Sequence, residues 1–122
     1  MEVKTVDFYT YKTDDMPKSI GFYRDMFGLT PALVLEHGGE QYWAEYEVGG
    51  ATIAVHLPHV GPSAGAVALA VGDVRAAVEE LKAKGTQVVF GPMDSSVCWI
   101  ATVLDPDGNP IILHQRHDGT CG

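Results

Sequence analysis

Two histidines close segments of the chain that resemble each other. Residues 50–56 read GATIAVH and residues 108–114 read GNPIILH, so that in each segment an Ile lies three positions after the Gly and a His six positions after it. An imidazole changes its charge near neutral pH and also binds metals. His56 and His114 are therefore candidates for ligand contact, for acid–base chemistry or for metal binding. The alternative is that both lie at the rim of a site, partly solvated or hydrogen-bonded.

Two glutamates lie at alternate positions of the predicted strand that precedes the strand of His56. Glu45 and Glu47 share one strand face with Trp43, because side chains alternate across a strand. If that face lines a cavity, Glu45 favours a cationic ligand. A relocated metal site would need a further ligand beside the two histidines, from Glu45, Glu47 or Asp7. If the face is exposed, the two glutamates only solvate it.

Aromatic side chains offer a second kind of contact. Trp43, Trp99 and Phe8 are candidates for stacking on a planar or apolar ligand. Their alternative is packing in the core or at a dimer interface. The remaining histidines (His37, His59 and His117) fall in a turn, a connector and a tail, and we expect them at the surface.

Two helices are predicted between runs of strands. Met16, Ile20, Tyr23 and Phe27 recur at helical spacing after Asp14 and Asp15, either of which can cap the helix, and Gly28 can end it. The second helix starts at Asp73, carries an apolar stripe from Val74 to Leu81 and ends at Gly85. Strand patterns cover 3–11, 33–36, 41–48, 52–57, 66–71, 88–90, 97–103 and 111–114.

These elements fall twice into the order β-α-β-β-β. Gly28 and Gly85 are 57 positions apart (85 − 28), and Gly50 and Gly108 are 58 apart (108 − 50), which indicates an internal repeat. We predict one α+β domain over 1–122, with modules at about 3–57 and 66–116 and a connector at 58–65. Two such modules would form a curved eight-stranded mixed sheet around a cavity.

Composition excludes several functional classes. The 122 residues carry 16 acidic and 8 basic side chains, a formal charge of −8. That balance opposes binding to nucleic acid or to anionic membranes. No apolar run is long enough to cross a bilayer, and the N-terminal residues do not resemble a signal peptide, so a cytoplasmic protein is expected. Cys98 and Cys121 lie in unrelated contexts, which disfavours a disulfide framework.

Three motifs carry a family resemblance that spans about residues 3–115. They are SIGFYRDMFGL at 19–29, VGDV at 71–74 followed by LKAKG at 81–85, and DPDGNP at 105–110. With them the chain resembles the vicinal oxygen chelate superfamily, which includes glyoxalase I, bleomycin-resistance proteins and extradiol dioxygenases. The resemblance implies the fold more firmly than the reaction, because one fold hosts many functions.

The same resemblance implies where metal ligands would stand. The metal enzymes of the family carry a carboxylate on the last strand of each module, and the matching positions here are Ala54 and Ile112. The ligand position on the first strand falls at Phe8, or at Asp7 if the following turn holds an extra residue. In the second module it falls at Ala66 or Gly65.

We therefore expect metal-independent binding of a small, partly apolar molecule, in the manner of bleomycin-resistance proteins, by a homodimer that needs no cofactor. No catalytic residue is assigned. One alternative is a metal-dependent lyase or isomerase of the glyoxalase type with relocated ligands, and another is a non-catalytic interaction module. The predicted ligand-binding residues are His56, His114, Trp43, Trp99, Phe8, Ala54, Ile112 and Glu45.

Overall fold

The computed structural model describes residues 1–62 and 64–122; Ser63, in the predicted connector, lies outside the described residues. Within these residues there are two helices, α1 (Met16–Phe27) and α2 (Val74–Ala83), together with a short 3-10 turn at Pro58–Val60. The strands are β1 (Val3–Lys12), β2 (Leu33–His37), β3 (Glu40–Val48), β4 (Ala51–His56), β5 (Ala66–Val71), β6 (Val88–Asp94), β7 (Cys98–Leu104) and β8 (Pro110–Arg116).

The eight strands belong to a mixed sheet, and the fold is α+β as predicted. The chain forms two compact units, and β1 is divided between them. We call Tyr9–Gly65 the α1 unit, and Met1–Phe8 together with Ala66–Gly122 the α2 unit, after the helix that each contains.

The α1 unit has the strand order β2-β3-β4-β1. The β2–β3 and β3–β4 pairs are antiparallel, and β4 runs parallel to β1. Asp15 caps α1 by accepting a hydrogen bond from the Lys18 amide at 3.1 Å. The helix buries Met16 against Ala44, Tyr46, Val55 and Leu57, so one face of this sheet is the helix side.

The α2 unit has the strand order β1-β5-β8-β7-β6. β5 and β8 are parallel, whereas β8–β7 and β7–β6 are antiparallel. Asp73 caps α2 through the Ala76 amide, and Gln115 accepts from the Val74 amide at 3.0 Å, so two donors of the first turn are satisfied. The apolar side chains that pack under α2 are Val71, Val74, Ala77, Val78, Ala101, Val103 and Leu113.

Three local expectations are corrected. β6 does not stop at Phe90 but continues to Asp94, because a register shift and an edge position accommodate the Gly91–Pro92 pair. Phe27 is 65% exposed, so the buried stripe of α1 is shorter than its sequence pattern. His37 ends β2 rather than lying in the turn.

Among the described residues, neither helix combines the length and apolarity needed to cross a membrane.

Candidate functional site

A buried ion pair joins the two ends of the sequence within the α2 unit. Nδ1 of His114 lies 2.6 Å from Oδ2 of Asp7, and both side chains are nearly inaccessible. The other carboxylate oxygen of Asp7 accepts a hydrogen bond from the Gly122 amide at 2.6 Å and lies 3.9 Å from Nη2 of Arg116. Since a carboxylate only accepts, His114 donates through Nδ1.

Cys98 is the thiol nearest to His114 in the register of the sheet. Cys98 and His114 are diagonal neighbours on one face of β7 and β8, because the register pairs Ile100 with His114 and Cys98 with Arg116. Burial alone would lower the pKa of His114, but hydrogen bonds to Cys98 and Asp7 outweigh it and raise that pKa. The surroundings of His114, with the Asp7 carboxylate at Nδ1, therefore favour its imidazolium form.

His114 also forms part of the wall of a small cavity in the α2 unit. The cavity has a volume of about 190 Å³ and is lined by the ends of β5 and β8 and by the segment after β8. Its side chains include Lys4, His114, Arg116, His117, Trp99 and Thr120. None of the described lining residues carries a carboxylate, so the lining itself is basic in a chain of charge −8. Two carboxylates outside the lining pair with it, Asp7 with His114 and Arg116, and Asp94 with His117.

The first histidine occupies a different setting in the α1 unit. His56 is wholly buried, with Nδ1 at 2.6 Å from Oγ1 of Thr10 and Nε2 at 2.6 Å from the carbonyl oxygen of Pro62. A carbonyl only accepts, so Nε2 donates and Nδ1 accepts from the Thr10 hydroxyl. Burial lowers the pKa of His56 despite the Pro62 hydrogen bond, which favours a neutral ring.

The other predicted site residues of the α1 unit lie beside His56. The register sets Trp43 opposite His56 and Glu45 opposite Ala54, on the sheet face away from α1. The Trp43 ring stacks on His56 with centroids 6.0 Å apart, and its Nε1 donates to Glu45 at 2.9 Å. Glu47 accepts from Thr52 at 2.8 Å. These carboxylates therefore already accept hydrogen bonds within the protein.

The predicted site residues of the α2 unit divide between the two faces. Phe8 and Ile112 are buried on the side of His114, and the Phe8 ring meets the His114 ring edge-on at 5.3 Å. Trp99 instead packs on the helix side, where the guanidinium of Arg75 lies 4.3 Å above its ring. Trp99 reaches the cavity only where the strands end.

Neither histidine is a solvated rim residue, because His56 is 0% and His114 8% exposed. His59 and His117 lie at the surface, as expected.

Sequence reasoning did not identify Cys98, Lys4 and Arg116 as site residues. A signal for two of them was present in the turn Asp105–Asn109. Strand positions equidistant from Asp107 pair with one another across the hairpin, which places Cys98 opposite Arg116 and diagonal to His114. Lys4 carries no comparable local signal, because the hairpin does not contain it.

The positions that the resemblance assigns to metal ligands do not fit a metal. Phe8, Ala54, Ala66 and Ile112 have no donor atom in their side chains, and three of them are buried in apolar packing at 4%, 0% and 2% exposure (Phe8, Ala54 and Ile112). Asp7, the other possibility on the first strand, is committed to His114 and to the Gly122 amide. Within residues 1–62 and 64–122, no three His, Cys, Asp or Glu side chains are grouped as metal ligands.

Known proteins resemble this chain both in sequence and in fold. The "Probable lactoylglutathione lyase" of Vibrio parahaemolyticus is 29% identical over an alignment 124 positions long, which covers 91% of this chain and 90% of that protein. An uncharacterized protein of Mycolicibacterium smegmatis is 30% identical, with 93% of each chain covered. The structure of methylmalonyl-CoA epimerase from Mycobacterium tuberculosis superposes with a TM-score of 0.69 at 17% identity, covering 93% of this chain and 89% of that one.

The family assignment rests on the sequence profile of the Glyoxalase/Bleomycin resistance protein/Dioxygenase superfamily, which matches residues 5–113. A superfamily member from Vibrio splendidus has the same fold, with a TM-score of 0.65 at 16% identity over 91% of this chain and 99% of that one. The chain belongs to the Glyoxalase/Bleomycin resistance protein/Dioxygenase superfamily.

Proposed function

We propose that the protein binds a small anionic, partly apolar molecule in the cavity of the α2 unit, without a metal. The observation that carries this proposal is the charge of the cavity. Lys4, Arg116 and His114, whose pKa is raised, line it in a chain that is otherwise strongly acidic. Trp99 adds an apolar surface beside Lys4 and Arg116, and an aromatic ring next to a cation suits a ligand with both kinds of group.

The size of the cavity limits the ligand. Pockets that enclose drug-sized molecules commonly occupy about 300–1,000 Å³, whereas this cavity has about 190 Å³. It accommodates a carboxylate or phosphate with a short apolar extension, or the anionic end of a longer molecule. A guanidinium such as that of Arg116 matches the two oxygens of such a group.

The proposal is tested by calorimetric titration with benzoate, phenylacetate and phenyl phosphate. Arg116→Gln and Lys4→Gln should each weaken binding about ten-fold, since a hydrogen bond to a charged group contributes about 1.5 kcal/mol. Lys18→Gln removes an equal charge from the exposed face of α1 and serves as the matched control. Binding that is equally weakened by Lys18→Gln, or absent for all three anions, would contradict the proposal.

Independence from metal is a separate part of the proposal. It is supported by the side chains Phe8, Ala54, Ala66 and Ile112, which offer no donor atom. Elemental analysis of the purified protein and titration with Zn²⁺, Ni²⁺ and Mn²⁺ should show no stoichiometric ion. One tightly bound ion per chain would overturn this part.

A second candidate is an enzyme that moves a proton on the bound molecule. It is favoured by the buried His114–Asp7 pair in the cavity wall, because an oriented imidazole acts as acid or base near neutral pH. Several relatives carry the name lactoylglutathione lyase. Exchange of carbon-bound hydrogen for solvent deuterium in a bound 2-oxo acid, lost in His114→Gln, would distinguish this enzyme from a binding protein.

A homodimer in the cytoplasm belongs to the same proposal. β6 is the last strand in the order of the α2 unit and exposes Val89, Phe90 and Met93, and an uncovered apolar edge favours association. Light scattering after size-exclusion chromatography should give twice the mass of 13.1 kDa. Phe90→Glu should give the monomer, whereas Phe22→Glu, at a similarly exposed aromatic of α1, should not.

A further inference from the structure

Cys98 has a polar neighbour, whereas a cysteine that only fills space in a core needs none. Its Sγ is 3.0 Å from Oγ of Ser95, and its amide donates to the same Oγ at 3.2 Å. The chain turns back tightly here, with Ser96 at φ 77° and the Ser95 amide donating to the Cys98 carbonyl at 2.9 Å. The turn therefore fixes the Ser95 hydroxyl beside the thiol, and the same hydroxyl is also within donating distance of the Cys98 carbonyl oxygen, at 3.2 Å.

The charges that face Cys98 favour the thiolate on balance. His114 is its diagonal neighbour, Arg116 stands opposite it in the register, and Asp94 is the acidic group that acts against it. Burial would raise the pKa of Cys98, but hydrogen bonds to His114 and Ser95 outweigh burial and lower it. Asp7 supports this arrangement by holding Nδ1 of His114 at 2.6 Å.

We propose that Cys98 is a redox-active thiolate that small peroxides oxidise to a sulfenic acid, with His114 as the proton donor. Asp7 orients His114 through the 2.6 Å contact at Nδ1, and His114 is the diagonal neighbour of Cys98, so a group that orients, an acid–base group and a nucleophile follow one another on this face of the sheet. Ligand binding in the basic cavity is not required for this chemistry, so the two proposals fail or hold separately.

The step balances with the peroxide as oxidant. The Cys98 thiolate attacks one oxygen of hydrogen peroxide, so an S–O bond forms and the O–O bond breaks. The departing hydroxide takes the proton from the His114 imidazolium and leaves as water. Sulfur loses two electrons, the peroxide gains them, and Cys98 is left as S–OH beside a neutral His114.

The burial of Cys98 restricts the oxidant to small molecules. The residue is 8% exposed, whereas Cys121 is exposed, so accessibility alone predicts that Cys121 reacts first. The proposal predicts the reverse order, because the thiolate and not the thiol is the nucleophile. An ordinary cysteine with a pKa of about 8.5 is only about 0.3% thiolate at pH 6.

The experiment treats the intact protein at pH 6 with hydrogen peroxide and dimedone, which traps sulfenic acids. Cleavage after Lys84 and Arg116 places the two cysteines on separate peptides, so mass spectrometry measures each rate. Cys98 should be trapped at least about ten times faster than Cys121. In the Asp7→Asn variant, trapping at Cys98 should be about ten-fold slower, because His114 has lost its charged partner.

Ser95→Ala is the milder variant in case Asp7→Asn disturbs folding, and circular dichroism at the assay temperature reports the folded state of each. Ser95→Ala should slow trapping at Cys98 and leave Cys121 unchanged. Trapping at Cys121 as fast as at Cys98, or trapping at Cys98 only after urea unfolds the chain, would overturn the proposal.

Discussion

The carboxylate of Asp7 lies 2.6 Å from Nδ1 of His114, although 107 positions separate the two residues in the chain. His56 turns the same ring atom toward the hydroxyl of Thr10, also at 2.6 Å. Both partners belong to β1, but one is charged and the other is neutral. The pKa values of the two histidines shift in opposite directions, upward for His114 through Cys98 and Asp7 and downward for His56 through burial.

Removing the charge of Asp7 should destabilise the protein in a pH-dependent way. The folded-state pKa of His114 is raised, so the contribution of the ion pair is fully present below about pH 6.5 and is lost as pH rises through the folded pKa. We expect Asp7→Asn to cost about 3 kcal/mol at pH 6 and clearly less at pH 9, measured by urea unfolding.

Asp25→Asn is the control for that measurement. Asp25 pairs with Arg24 at 2.9 Å on the surface, where both side chains are 60% exposed. An exposed pair contributes at most about 1 kcal/mol, so this variant should resemble the wild type at both pH values. An equal cost of Asp7→Asn at pH 6 and pH 9 would refute the role of His114 protonation.

Replacing Thr10 tests whether His56 depends on the hydrogen bond from the Thr10 hydroxyl. Thr10→Val keeps the shape of the side chain but leaves Nδ1 of a wholly buried ring without its donor, a loss that costs about 1–3 kcal/mol. Thr10→Ser keeps the hydroxyl and should cost less. Thermal unfolding of the two variants checks the difference, and equal melting temperatures would count against the hydrogen bond.

The two rings should titrate on opposite sides of the ordinary histidine pKa of about 6.5. The pKa of His56 is lowered by burial, so its neutral form contributes stability that is lost as pH falls below about 6.5 toward the folded pKa. The pKa of His114 is raised. NMR of the imidazole Cε1–H signals, assigned with His56→Gln and His114→Gln, measures both; a reversed order would disprove the assignment.

The hydroxyl of Tyr46 is buried, and no described residue hydrogen-bonds it. Burial, and to a lesser extent the nearby Tyr23, raises the pKa of this phenol. Tyr46→Phe removes a polar group that lacks a partner and keeps the ring, so we expect a gain of about 1 kcal/mol, or about 3–6 °C in Tm. Calorimetry tests this, and a clear loss of stability would indicate a bound water at the hydroxyl.

Local sequence signals predicted the elements because caps, turns and periodicity act over a few residues. Asp15 caps the start of α1, Gly28 caps its end, and Asp73 caps the start of α2, as their residue types indicated. Phe27 follows the same periodicity but is exposed, since the periodicity of a helix does not show where its partner surface ends. The α+β class was predictable for the same reason, because it depends on the order of the elements.

The candidate site was predictable only in part. The strand pattern indicates His114, and the resemblance makes Asp7 a possible metal ligand, but their mutual contact depends on pairing between distant segments. The spacing of the cysteines bears only on a disulfide, whereas the polar neighbours of Cys98 follow from the hairpin register. Trp99 was assigned by strand correspondence alone, which does not fix the face on which it packs.

The close fit of Gly61 against His56 links the evolution of the two positions. A Cβ atom added at Gly61 would lie 2.6 Å from Cδ2 of the His56 ring, too near for any side chain. A lineage that keeps His56 must therefore keep glycine at 61, and one that replaces the ring by a smaller residue is released from that restriction. Among relatives, we expect substitutions at these two positions to occur together, as a covarying pair.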